Sequence, residues 1–205
     1  MAVTRTLAGI VTVSLAASAC NDSDTLDQPV IDTRDAGTAR GVELATNASS
    51  ELTGDSAGLV IGKTASILFV LNDNFAKEAF FTVDVLDDGE FEDYGAEIFD
   101  DHTADNQALD LVVRGYGASY QPSSTADALA AEGQAGLAEL RATPPQNVAF
   151  MFTHLMVEQH ASALVLLDEL AAQVGPGAMG DYIADTRLEE LSHLAEGEDL
   201  LDDFY

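Results

Sequence analysis

Helical periodicity dominates the chain from about residue 63 onward. Residues 151–171, MFTHLMVEQHASALVLLDELA, place apolar side chains three and four positions apart, which is the spacing of one helix face. The same spacing predicts five helices, over about 64–86, 90–114, 125–141, 146–174 and 180–202. Sustained period-two alternation is missing from the sequence. We therefore predict an all-α bundle of four long helices and one short helix.

The predicted helix ends follow from residues that favour caps or break helices. Asp-Asp-Gly at 87–89, GYG at 115–117, TPPQN at 143–147 and GPG at 175–177 separate the periodic segments. Thr64 is a candidate N-cap for the first helix, and Ser124 or Thr125 is a candidate N-cap for the short third helix. These segments define a helical domain over residues 61–205.

The stretch that precedes this domain has a different texture. Residues 21–58 are rich in Asp, Ser, Thr, Gly and Ala and contain neither aromatic residues nor a sustained apolar period. Such a composition predicts a disordered acidic tether over residues 20–60.

The N-terminus predicts export and lipidation. Arg5 precedes the apolar run LAGIVTVSLAA, which is too short for a standard membrane span. The run ends in LAASAC at 15–20, which resembles a bacterial lipobox and contains Cys20, the single cysteine of the chain. We predict that residues 1–19 are a signal peptide and that a lipid on Cys20 anchors the protein to a membrane. The alternative is ordinary signal cleavage that leaves Cys20 as a free thiol.

The residue after Cys20 predicts the membrane in which the lipid would lie. By resemblance to Gram-negative sorting rules, Asn21 indicates the outer membrane of the cell envelope.

The overall charge limits the partners of the protein. The chain has 36 Asp plus Glu against 8 Lys plus Arg, a net charge of −28. Such a surface repels nucleic acid, which is excluded as a partner, and favours cations or basic proteins. Adaptation to a saline habitat explains the same charge without a partner.

Two of the predicted helices repeat one pattern at an offset of 58 residues. Each has an aromatic residue, an aliphatic residue and a histidine at intervals of four: Tyr94, Ile98 and His102 in one, and Phe152, Met156 and His160 in the other. This spacing keeps all three side chains on one helix face. We therefore predict that both histidines point toward a shared bundle axis.

These motifs resemble a known family. DDH at 100–102, FxxxMVxxH at 152–160, SHL at 192–194 and NDNFAKEA at 72–79 look like the ferritin-like bacterial exported proteins catalogued as domain of unknown function 4142. The resemblance covers about residues 63–203 and implies a ferritin-like four-helix bundle in the cell envelope, with no established chemistry. It also implies that Glu78 is the family's helix-one glutamate and that His102, His160 and His193 are its three histidines. Ala149 and Phe152 depart from the pattern, since family members often carry polar groups there.

A di-iron carboxylate centre does not fit the sequence. Such centres need Glu-x-x-His on two helices, but Phe99 and Val157 stand three residues before His102 and His160. Only the last helix has the motif, as Glu190-x-x-His193.

A mononuclear site is a separate hypothesis. Glu78, His102, His160 and His193 lie on four predicted helices and can hold one Zn or Cu ion if all face inward, since imidazole suits those metals.

Two alternatives explain the same histidines without a metal. Buried histidines can pair with carboxylates such as Glu78 or Asp101 and only fix the packing. His193 can also lie on a solvated acidic face beside Glu189, Glu190 and Glu196. The sequence lacks phosphate-binding, dinucleotide and hydrolase motifs. We therefore expect a binding or structural module rather than an enzyme, with a mononuclear metal or redox protein as the alternative.

Overall fold

The structure is a computed structural model that describes residues 33–86 and 89–204. Six α-helices fill these residues: α1 Thr33–Leu52, α2 Ala57–Val85, α3 Gly89–Gly115, α4 Ser124–Ala142, α5 Val148–Val174 and α6 Ala178–Asp202. A short 3₁₀ turn, Pro145–Asn147, precedes α5. The described residues contain no β-strand, so the prediction of an all-α bundle is confirmed. Helices α2 to α6 correspond to the five predicted helices.

The predicted caps are wrong in detail. Helix α2 begins at Ala57, and Thr64 is a buried residue inside it rather than its N-cap. Ser123 is the N-cap of α4, where its hydroxyl accepts a hydrogen bond of 3.1 Å from the Ala126 amide. Ser124 and Thr125, the predicted caps, are the first two helical residues.

Helix α1 contradicts the predicted tether over residues 33–60. Leu44, Ala48 and Leu52 of α1 are at most 1% exposed. Gly37 lies against Glu158 of α5 and Gly41 against Ser162, so the two helices run parallel. They are close, because a Cβ atom on Gly41 would lie 2.5 Å from the Ser162 carbonyl oxygen. Contacts of this kind need small residues rather than an apolar stripe, so the hydrophobic pattern does not reveal the helix. The folded unit begins by Thr33, whereas Cys20 and the rest of the predicted tether lie outside the described residues.

Within residues 33–86 and 89–204, two segments, α2 and Pro145–Val174, are long and apolar enough to cross a membrane by length and composition alone. However, 56% and 61% of their most apolar windows are buried within the bundle. Burial of this kind explains their composition, since a helix surrounded by other helices is apolar on most sides.

Four helices, α2, α3, α5 and α6, surround the centre of the bundle, and side-chain contacts fix their directions. Phe75 of α2 stacks on His102 of α3. Asn72, about one turn before Phe75, lies beside Asn106, about one turn after His102, so α2 and α3 are antiparallel.

The same reasoning orients α6. The Tyr94 hydroxyl of α3 donates a hydrogen bond of 2.9 Å to the His193 carbonyl of α6, and the Thr186 hydroxyl donates one of 3.1 Å to Asp105. Helices α3 and α6 are therefore antiparallel, and His160 near Glu190 and Asp168 near Arg187 show the same for α5 and α6.

Helices α1 and α4 flank this group. Helix α4 lies against α2 at Gly133 and Gly136, where an added Cβ would collide with the side chains of Asn74 and Glu78. Glu51, near the end of α1, accepts hydrogen bonds from the first amides of α4. These contacts tie both flanking helices to the histidine-bearing core.

Candidate metal centre

Three histidines meet at the centre of the bundle. His102 of α3, His160 of α5 and His193 of α6 are 0%, 0% and 1% exposed. One ring nitrogen of each lies within 4.8 Å of those of the other two. The predicted convergence of these histidines is confirmed, and the alternative that places His193 on a solvated face is wrong.

The 58-residue repeat accounts for two of the three positions. All six side chains of the repeat are 0% exposed, and the rings of His102 and His160 lie 5.9 Å apart between centroids. The prediction that both faces point to a shared axis is therefore confirmed.

His160 has one satisfied and one free ring nitrogen. Its Nδ1 lies 2.7 Å from the Met156 carbonyl oxygen, one helical turn earlier. A carbonyl oxygen can only accept, so Nδ1 carries the proton and Nε2 has the lone pair. Nε2 is buried without a hydrogen-bond partner, 3.5 Å from Oε2 of Glu190. A metal-binding histidine characteristically has its other nitrogen held in this way.

His193 shows the same division. Its Nε2 lies 3.1 Å from Oδ2 of Asp101, while Nδ1 is buried and has no hydrogen-bond partner. The carboxylate accepts a hydrogen bond from the Nε2 N–H, which leaves the lone pair on Nδ1. The bond from Tyr94 to the His193 carbonyl holds the helix at this level. Asp101 is thus one of the predicted carboxylate partners of the buried histidines.

In the part of the chain that the structure describes, neither ring nitrogen of His102 has a hydrogen-bond partner. The Phe75 ring stacks on it at 4.6 Å and on His160 at 4.3 Å. This aromatic ring closes the α2 side of the group and holds two of the three imidazoles in place. It offers neither nitrogen a polar partner.

Glu190 is the carboxylate that sequence reasoning missed. It is fully buried, and neither oxygen has a hydrogen-bond partner. Burial, and then the charges of Asp105 and Glu189, hold the pKa of Glu190 well above its ordinary value. The Glu190-x-x-His193 spacing is the sequence feature that points to this carboxylate. The neighbouring Glu189 makes the same stretch equally consistent with a solvated acidic face.

Glu78 does not join the histidines. It is buried in α2, but its carboxylate lies against Gly136 of α4. Burial raises the pKa of Glu78 to about 8, and the nearby Gln159 amide acts in the opposite direction. Its carboxylate is not among the ligand atoms grouped with the histidines. The expected ligand role of Glu78 is therefore wrong, because its side chain leaves α2 toward α4 and α5.

The electrostatics of the group favour free lone pairs. Burial, and then the neighbouring His193, lowers the pKa of His160 to about 3. Burial lowers the pKa of His102 well below its ordinary range, and the two other histidines add to the effect. Neutral imidazoles are the form that binds metal ions.

The chemistry of these donors fits a metal such as Zn or Cu. Three imidazole nitrogens and a nearby carboxylate oxygen are within the ligand types that both metals accept. Buried polar atoms normally have partners, yet six atoms here have none among the described residues: both ring nitrogens of His102, Nε2 of His160, Nδ1 of His193 and both oxygens of Glu190. A purely structural histidine–carboxylate network would satisfy more of them.

Comparison of the chain with protein-family models, with curated proteins and with solved structures found no match.

Proposed function

We propose that the bundle is a mononuclear metal-binding protein whose ligands are His102, His160 and His193. The observation that supports this most is the set of lone-pair-bearing nitrogens without hydrogen bonds inside a closed core. Zn or Cu suits these donors. Oε2 of Glu190 lies 3.5 Å from Nε2 of His160, and a bound cation would favour the ionised form of this buried carboxyl group.

The burial of the site favours binding over catalysis. The three imidazoles are at most 1% exposed, so a bound ion would be shielded from bulk water and from substrates. Catalytic zinc sites keep an open coordination position for water or substrate. We therefore propose a metal-holding module rather than an enzyme.

The fold and the location belong to the same proposal. Histidines from three helices converge between antiparallel neighbours, which agrees with a ferritin-like four-helix bundle of the kind found in the exported proteins of domain of unknown function 4142. A lipid on Cys20 would fix the bundle to the cell envelope. There its acidic surface would attract cations and repel nucleic acid.

Metal analysis of the purified full-length protein tests the proposal. After incubation with Zn²⁺ or Cu²⁺ and removal of the excess, we expect inductively coupled plasma mass spectrometry to find one ion per chain. His160→Gln and His193→Gln should abolish retention. His154→Gln is the matched control, because His154 is the one histidine outside the group. Wild type that retains no ion, or retention that survives replacement of all three ligands, would refute the proposal.

A further inference from the structure

Carboxylates line the groove where α3 meets α6. On α3 an acidic residue recurs every fourth position, at Asp93, Glu97, Asp101 and Asp105, which places all four on one side of the helix. Glu189 and Glu196 of α6 lie near this row, and Asp185 lies near Glu189. We call these seven residues the acidic seam.

The two rows of the seam act on each other. Burial, and then repulsion from Glu97, raises the pKa of Glu196. Burial, and then repulsion from Asp105 and Asp101, raises the pKa of Glu189 to about 7. Like charges held this close destabilise the fold unless a cation offsets them. The ion pairs that Lys and Arg make within residues 33–86 and 89–204 involve other carboxylates, so the protein itself supplies little compensation here.

The seam reaches the buried histidines through His193. Ligand atoms of Glu97, Asp101 and His193 lie within 4.8 Å of one another. Exposure falls along this set: Glu97 is exposed, the Asp101 side chain is 42% exposed and the His193 side chain is 1% exposed. Nε2 of His193 contacts Asp101, and Nδ1 has no hydrogen-bond partner among the described residues. His193 therefore belongs both to the seam and to the candidate metal centre.

The opposite side of the centre is closed by an aromatic ring. Phe75 of α2 stacks on both His102 and His160, so a hydrated cation meets an apolar wall there. The α3–α6 side instead offers a series of oxygen ligands that can replace water molecules one after another.

We propose that the acidic seam is the access route of a divalent cation to the buried histidines, with Glu97 and Asp101 as its outer docking point. This inference rests on the proposed metal-binding function and adds the path and the residues that govern exchange. The cation exchanges water ligands for carboxylate oxygens at the surface and then for imidazole nitrogens inside.

Stopped-flow kinetics with Zn²⁺ and a competing fluorescent chelator tests the route on the full-length protein. The seam variant is Asp93→Asn with Glu97→Gln, which leaves all three histidines and Asp101 intact. The matched control is Asp84→Asn with Glu139→Gln, which removes two exposed carboxylates from α2 and α4. Both variants therefore have the same net charge. Circular dichroism verifies that each is folded, and Glu97→Gln alone serves if the double variant is not.

We expect the seam variant to bind Zn²⁺ about 10-fold more slowly than the control at low salt, because a cleft lined by one sign of charge concentrates the opposite ion. The difference should shrink near 1 M salt, where the screening length is about 3 Å. If wild type binds Zn²⁺ but the seam and control variants bind at equal rates, the access route is wrong and the metal site stands. If wild type binds no Zn²⁺, both proposals are wrong.

Discussion

Nε2 of His160 lies 3.5 Å from Oε2 of Glu190, and neither atom has a hydrogen-bond partner. The separation exceeds the normal length of an N–H···O hydrogen bond, and Nδ1 of His160 already carries the ring proton toward Met156. The pKa of Glu190 is held well above its ordinary value, so the neutral carboxylic acid is the favoured form beside the Nε2 lone pair. A cation bound nearby would favour the carboxylate instead, and both groups would then offer lone pairs to the ion.

Replacement of His102 by leucine should separate stability from metal binding. Both nitrogens of His102 are buried without partners, and an unsatisfied buried polar group costs about 1–3 kcal/mol. We therefore expect His102→Leu to raise the free energy of unfolding of the metal-free protein by about this amount, as measured by urea denaturation with a chelator present.

Added zinc should make wild type more stable to unfolding than His102→Leu, the reverse of their order without metal. A ligand at about 1,000 times its dissociation constant stabilises the folded state by about 4.1 kcal/mol, which exceeds the gain of about 1–3 kcal/mol from His102→Leu, and only wild type should gain it. If His102→Leu destabilises the metal-free protein and zinc shifts neither melting curve, His102 is a packing residue in a structural network.

The predicted lipid anchor is tested at Cys20. We expect Cys20→Ala to leave the precursor without lipid and to move the protein from the membrane fraction to the soluble fraction. Metabolic labelling with a fatty acid and cell fractionation measure the two effects. Ser18→Ala keeps a small residue within LAASAC and should retain both lipid and membrane. A Cys20→Ala protein that stays fully membrane-bound without lipid would contradict the anchor.

The sequence predicted the helices whose buried faces carry large apolar side chains at regular spacing. Helices α2 to α6 each bury such residues, and the register of Tyr94 and Phe152 placed His102 and His160 correctly. Helix α1 was missed because it docks through the backbone at Gly37 and Gly41, so its buried face has few large apolar residues.

The carboxylate of the site could not be assigned from sequence. Glu78 and Glu190 are both fully buried, and from the sequence either could face the histidines. Which one does so depends on how α2 and α6 are rotated about their axes. Helix α2 is buried on several sides, so its hydrophobic pattern does not say which buried side faces the axis. Only the packing of α4 against α2 shows that Glu78 points away.

The cap that Glu51 forms on α4 should make stability depend on pH. Its carboxylate accepts bonds from the amides of Ser124 at 3.0 Å and Thr125 at 3.2 Å, and from nearby hydroxyls. Partial burial acts to raise its pKa, but these hydrogen bonds outweigh it, so the pKa of Glu51 lies below its ordinary value. The bonds therefore stabilise the fold above the ordinary glutamate pKa, and this contribution is lost as the pH falls through the folded-state pKa.

We expect Glu51→Gln to lower the free energy of unfolding at pH 7 by about 0.5–1 kcal/mol, the low end for a cap because the side chain is only partly buried and solvent screens its charge. The deficit should vanish in acid, where wild-type Glu51 is protonated. Denaturation at several pH values measures it, with Glu139→Gln as the control that keeps the cap. A deficit that is the same at every pH would show that the carboxylate charge has no part in the cap.

The docking of α1 should depend on the absence of a side chain at Gly41. Alanine normally stabilises a helix by about 1 kcal/mol relative to glycine. Here the added Cβ would lie 2.5 Å from the Ser162 carbonyl oxygen and 2.8 Å from Cβ of Val165. Overpacking of this kind costs about 1–3 kcal/mol, which exceeds the propensity gain. We therefore expect Gly41→Ala to destabilise the protein in urea denaturation and to increase amide exchange in α1.

The control for Gly41 is a helical glycine with space around it. Gly58 lies in the first turn of α2, and an added Cβ there would meet no atom within 4 Å. Gly58→Ala should therefore leave stability unchanged or raise it by up to about 1 kcal/mol. Opposite signs for the two substitutions would show that α1 is held against α5 by close backbone approach. If Gly41→Ala is as stable as Gly58→Ala, α1 does not pack on α5 in solution, and residues 33–52 are closer to the tether that their composition predicts.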